Sequence, residues 1–128
     1  MALVAAGCGS KGVVAPTPQT VIGSLPTATG VAKGDAAAGK QLYTSNGCGG
    51  CHTFKPAGST GKVGPDLDKL AADAQKANQG SLEQYTTESI KNPGAYVVPG
   101  FQNGVMPAFT SLSGQQLADL VAFLTQKS

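Results

Sequence analysis

Cys48-Gly49-Gly50-Cys51-His52 is the stretch on which the reading of this chain turns. Two cysteines three residues apart on one helical turn point the same way, and an imidazole follows directly. This is the spacing of covalent c-type haem attachment: both thiols reach vinyl groups on one porphyrin edge, and the histidine comes up under the iron. The Gly49-Gly50 pair lets the backbone pass close to the ring. Three other readings compete with this one. A thioredoxin-like redox pair sits between a strand and a helix, and no strand pattern is visible in the chain. A structural zinc site needs four ligands, and only Cys8, Cys48, Cys51 and His52 offer themselves, with Cys8 far off along an irregular segment. Chance is the third, and it weakens as other features fall where a haem protein needs them.

One such feature is Met106. The chain holds two methionines, Met1 and Met106, and the second stands in Gly104-Val105-Met106-Pro107-Ala108-Phe109, off any helical stripe. A methionine on a helix face reads as core filler, but here there is no helix to fill. The 54-residue separation from His52 leaves ample chain to bring its sulfur over the other haem face. With one histidine, two-histidine ligation is excluded, and ligation by a lysine or an open position stands as the alternative. Gly64-Pro65-Asp66-Leu67 is another such feature. Thirteen residues after His52, the Pro65 carbonyl is placed to accept the Nδ1 proton of the imidazole, fixing its plane and raising its basicity.

Composition agrees with a domain built round a cofactor. The 128 residues suit a single domain, with no Trp, 18 Gly, 8 Pro and only 12% charged residues against roughly 25% in average domains. Such a thin apolar core fits a fold that closes on a large apolar group. From Gly34 onward seven lysines face seven carboxylates, so this part is neutral and shows no basic run for nucleic acid or an anionic membrane. An odd count of three cysteines argues against a closed disulfide framework, and no stretch approaches the roughly 20 apolar residues of a membrane span.

Helical signals recur from Asp35 on. Asp35 is a good N-cap before Ala36-Ala37-Ala38, and Asn46-Gly47 stops a helix over about 35–46. Leu67, Leu70, Ala71 and Ala74 recur at helical spacing, after a Gly/Pro/Ser-rich loop from Lys55 to Gly64. Ser81 and Gln84 form a capping start for a helix carrying Tyr85, Ser89 and Ile90 on one face, ended by Pro93-Gly94. Residues 94–111 read as an irregular loop. The clearest helix opens at Ser113, with Gln116 three residues on and a stripe of Leu117, Leu120, Val121 and Leu124, with Phe123 beside it. The expected fold is all-α, several short helices wrapped around one haem.

Residues 1–33 read differently. Met1 to Cys8 is small and apolar and ends in Ala-Ala-Gly-Cys, like the tail of a bacterial lipoprotein signal whose cysteine becomes lipidated. Gly9 to Lys33 reads as a flexible tether, with a reach of roughly 25–30 Å for a coil of that length. The expected division is therefore 1–33 as lipoprotein-like segment and tether, and 34–128 as the haem domain. An incidental cysteine on a plain disordered tail is the bland alternative.

These motifs together resemble the class I c-type cytochrome family from about Gly34 onward. Closer still, Gly61-Lys62-Val63-Gly64-Pro65-Asp66-Leu67, Glu88-Ser89-Ile90-Lys91-Asn92-Pro93, Val98-Pro99-Gly100-Phe101 and Val105-Met106-Pro107 are similar to the cytochrome c domain fused to subunit II of caa-type oxidases. The resemblance implies the cytochrome c fold, with first and last helices crossing at a small glycine. Gly39 with Tyr43, facing Leu117, Leu120 and Phe123 or Leu124, fits that crossing. No copper-binding cluster or membrane helix accompanies it, so the expectation is a free-standing or lipid-tethered carrier and not an oxidase subunit.

The functional expectation is one-electron transfer by one covalent haem c, with Cys48 and Cys51 bonded to it, His52 and Met106 as axial ligands and Pro65 behind His52. No catalysis of its own is expected. A quinol–cytochrome c reductase-type donor and a terminal oxidase acceptor are the partners the resemblance suggests. The location is outside the cytoplasmic membrane, in the periplasm or on the outer cell surface, with tethering through Cys8. A haem enzyme or ligand sensor with a labile Met106 is the rival.

Overall fold

The computed structural model describes residues 32–126. Helix α1 spans Ala36–Ser45, α2 Leu70–Ala77, α3 Leu82–Lys91 and α4 Gly114–Thr125. Each start has a chemical cause. Asp35 Oδ1 accepts from the backbone N–H of Ala37 (2.7 Å) and Ala38 (3.3 Å), satisfying donors that the first helical turn leaves without partners. Ser81/Gln84 and Ser113/Gln116 are complete capping boxes, with side chain and backbone bonded reciprocally in both.

The ends are equally legible. Asn46 caps α1 and donates its amide to Leu42 O at 2.8 Å, and Gly47 follows at φ 70°. Helix α2 stops at Asn78, which adopts φ 50°. The approach to α2 departs from the expected continuous stripe: Leu67–Lys69 is a 3₁₀ turn, and Ala71 is exposed while Leu70 and Ala74 are buried. Capping explains the break, because Asp66 accepts from Asp68 N–H and tightens the turn before the α-helix begins.

The absence of strands is corrected on a small scale. Thr53–Phe54 (β1) and Ser59–Thr60 (β2) pair antiparallel, Thr53 opposite Thr60 and Phe54 opposite Ser59. Two residues cannot show an alternating pattern, so this pair leaves no sequence signal. It closes the Lys55–Gly58 turn directly behind the cysteine motif, with Gly58 at φ 68°.

The core forms where α1 crosses α4. Gly39 is buried against α4, where a Cβ would run into the Asp119 carbonyl and come within 2.7 Å of Phe123 Cβ. The crossing reaches a backbone-to-backbone closeness that only glycine permits. Tyr43, Phe54 and Phe123 then interlock, with ring centroids 5.3–5.9 Å apart and tilted or edge-to-face. Leu120 and Leu124 continue the buried face of α4, and Tyr85 and Ile90 bring in α3. Asp119 is buried too, and its Oδ1 accepts from Asp35 N–H (2.8 Å) and Gln115 Nε2 (2.8 Å), tying the start of α1 to α4. No helix among the described residues is long and apolar enough to cross a membrane.

Candidate functional site

The cysteine motif sits on a 3₁₀ turn, Cys48–Gly50, that follows α1 after the left-handed Gly47. His52 N–H donates to Cys48 O at 3.0 Å, closing one helical turn and setting the imidazole beside the two thiols. Cys48 is half-buried and Cys51 exposed, and both are free. Burial pushes the Cys48 thiol above its ordinary value, with its own backbone hydrogen bond opposing.

His52 is buried and held from behind. Its Nδ1 lies 2.7 Å from Pro65 O, and since a carbonyl can only accept, Nδ1 is the donor in this contact, which leaves Nε2 as the ring nitrogen that could hold a metal. Gly64 makes this possible. A Cβ there would come 2.5 Å from His52 Cε1 and 2.9 Å from each ring nitrogen, so the Gly64-Pro65 backbone lies flat against the imidazole. Gly64 N–H also donates to Cys51 O at 2.8 Å, locking that segment onto the motif.

A cavity of about 290 Å³ opens in front of the histidine. Cys48, Cys51, His52, Pro65 and Met106 all line it, so these five expected site residues come together. Met106 enters on the irregular loop between α3 and α4. That loop is pinned where Phe109 N–H donates to Ile90 O at 3.0 Å, and it turns at Gly100 (φ 96°) and Gly104 (φ 80°). Among the described residues no lysine lines the cavity, and Lys91 is exposed outside it. Cys8 lies outside the described residues.

The cavity also has members that sequence reasoning did not single out. Asp73, Thr86, Tyr96 and Phe109 line it, as does Tyr85, which meets Tyr96 edge-on at 5.9 Å. Tyr85 and Ser89 carried a signal in their shared helix face. Tyr96, in the irregular loop, carried none.

The donor chemistry fits a covalently attached haem. Two thiols and one imidazole line a cavity walled by Leu67, Leu70, Ile90, Val97, Leu120 and Leu124. The exposed large apolar side chains among the described residues, Val63, Phe101 and Val105, all line the same cavity, where an apolar group would contact them. A zinc site fits poorly, because no three His, Cys, Asp or Glu side chains cluster as metal ligands among the described residues. The thioredoxin reading fails on the element order, which contains no βαβ unit.

The chain is similar to the c-type cytochrome SorU from Sinorhizobium meliloti, with 24% identity, 70% of this chain and 86% of that one covered, and a TM-score of 0.48. No curated protein matches. The cytochrome c family pattern matches residues 36–128, which takes in all four helices, both cysteines, His52 and Met106. The chain therefore belongs to the cytochrome c family, whose members carry electrons on a covalently bound c-type haem.

Proposed function

We propose that this protein is a one-electron carrier whose haem is bonded to Cys48 and Cys51 and whose iron is held by His52 Nε2 and Met106 Sδ. The observation that supports it most is the 2.7 Å contact of His52 Nδ1 with Pro65 O, on an imidazole lining the same cavity as Met106 and both cysteines. When bound, the haem supplies a one-electron ferric–ferrous change. The chain's residues set the conditions for it. Pro65 holds the proton on Nδ1 and so keeps Nε2 available and more basic. The soft Met106 thioether favours the reduced state and raises the potential. The apolar wall keeps water from the site.

With both axial positions held, no site is left for a substrate, so the protein carries electrons and catalyses nothing itself. Its partners are redox proteins, a quinol–cytochrome c reductase-type donor and a terminal oxidase acceptor, in line with the caa-type likeness of residues 61–67, 88–93, 98–101 and 105–107. Such docking uses a small, transient interface, and a neutral domain depends little on charge steering. Residues 1–33 precede the haem domain as its lipoprotein-like tether, and Cys8 anchors the protein outside the cytoplasmic membrane, in the periplasm or on the outer surface.

The test compares wild type with Met106→Ala, both matured in a host that attaches haem. Wild type should gain one covalent haem in mass, show a low-spin ferric spectrum and bind cyanide slowly. Met106→Ala should have a lower potential and bind cyanide or carbon monoxide readily. Wild type binding cyanide as fast as the variant would hand the case to the enzyme or sensor reading.

A further inference from the structure

Ser59 stands opposite Phe54 in the β1–β2 pair, behind the haem-attachment turn. Its Oγ donates to the backbone carbonyl of His52 at 2.9 Å, and the Tyr43 hydroxyl lies 2.9 Å from the same Oγ. A serine hydroxyl has one proton to give. Once that proton points at His52 O, Tyr43 must be the donor in its own contact with Ser59. The direct distance from Tyr43 to His52 O, 3.4 Å, is long for an O–H···O bond. The order is therefore Tyr43 to Ser59 to His52.

Both hydroxyl-bearing residues of this relay are closely packed. Tyr43 is 2% exposed, and its ring is wedged between Phe54 and Phe123. Ser59 reaches the carbonyl only because its surroundings lack side chains. A Cβ on Gly49 would meet Ser59 Cβ at 2.9 Å, and one on Gly61 would meet Cys51 C at 2.6 Å and His52 N at 2.7 Å. The same short segment then supplies Gly64 N–H to Cys51 O and Pro65 O to His52 Nδ1. His52 is thus gripped at its carbonyl and at its ring by residues only six positions apart in sequence.

We infer that Ser59 is a positioning residue for His52, fixing the backbone from which the imidazole projects while Pro65 fixes the ring. This rests on the reading of His52 as an axial ligand. The His52 N–H is already bonded to Cys48 O and its ring to Pro65 O, and the bond at the carbonyl holds the remaining side of the backbone from which the imidazole projects. The alternative is that Ser59 merely satisfies a buried tyrosine hydroxyl.

The experiment uses haem-loaded wild type, Ser59→Ala and Tyr43→Phe. Ferric proton NMR of the haem methyl resonances reports the imidazole plane, and a denaturant titration reports stability. Ser59→Ala should redistribute the methyl shifts and lower the denaturation midpoint. Tyr43→Phe keeps the Ser59 donor and should leave the methyl pattern at wild type. Ser59→Cys is the second route should Ser59→Ala fail to mature: it nearly keeps the size of serine but supplies a much weaker donor, and should shift the pattern likewise. A wild-type pattern in Ser59→Ala, with only the midpoint lowered, overturns the inference, as does a shift of equal size in Tyr43→Phe. A wild-type protein with no histidine-ligated low-spin signals sinks the ligand reading itself, independently of Ser59.

Discussion

Gly64 lies so close to His52 that the smallest side chain at position 64 would press into the imidazole, 2.5 Å from Cε1. The contact explains why the proline carbonyl can reach Nδ1 at all. Gly64→Ala should push the ring off Pro65 O. We expect about 1–3 kcal/mol of lost stability, in the range of an overpacked site, together with a changed potential. Voltammetry and a denaturant titration on the holoprotein check both; an unchanged potential would show that the ring keeps its place.

Gly39 makes the corresponding contact at the helix crossing. Alanine there meets the backbone carbonyl of Asp119, which cannot step aside as a side chain can. Gly39→Ala should cost about 1–3 kcal/mol or more by separating α1 from α4. Gly114, the first residue of α4, has nothing within 4 Å of its would-be Cβ. Gly114→Ala should therefore be neutral or stabilising by about 0.4–1 kcal/mol, chiefly through the unfolded chain. Equal losses in the two variants would contradict the crossing.

Tyr85 makes stability depend on alkaline pH. Burial pushes its phenol above the ordinary 10.0, its hydrogen bond with Ser89 partly opposing, and the negative charge of Asp73 adds to the rise. The folded state therefore binds this proton more tightly than the unfolded one. Its contribution is intact below the unfolded value and is lost as pH rises through the higher folded value. Tyr85→Phe should flatten the fall of the thermal midpoint above about pH 10 and leave the slope near neutrality unchanged. Tyr43, raised for the same reason, keeps part of the fall in place. Melting curves across that range decide.

Cys8 carries the anchoring part of the functional proposal, and its test is the simplest. In a suitable bacterium the complete gene product should sediment with membranes and partition into detergent, because two acyl chains hold where one does not. Cys8→Ser should be released as soluble protein or accumulate unprocessed. Identical fractionation of the two would make Cys8 an incidental thiol.

Much of this architecture is legible in local chemistry. Asp35, Ser81 and Ser113 announce their helices because capping is a bond between a side chain and backbone three residues away or less, so sequence proximity already decides it. The motif from Cys48 to His52 is likewise a single turn, and its spacing alone set the cofactor chemistry that family membership supports. Pro65 was readable because a ligating imidazole needs an acceptor and the Gly64-Pro65 turn offers a carbonyl thirteen residues on, which lies 2.7 Å from Nδ1.

What only the tertiary structure decided are contacts between segments with no periodic or compositional link. Phe54 joins the aromatic cluster through a two-residue strand too short to alternate. Asp119 is buried on an otherwise apolar helix face, and its bonds from Gln115 Nε2 and from Asp35 N–H, 84 residues away, account for it. Ser59, in what reads as a polar loop, meets His52 because Gly49 and Gly61 leave room that no local rule reveals. Sequence determines which bonds a residue can make with its neighbours along the chain; which distant backbone comes within 3 Å is decided only when helices α1 and α4 pack and carry their loops together.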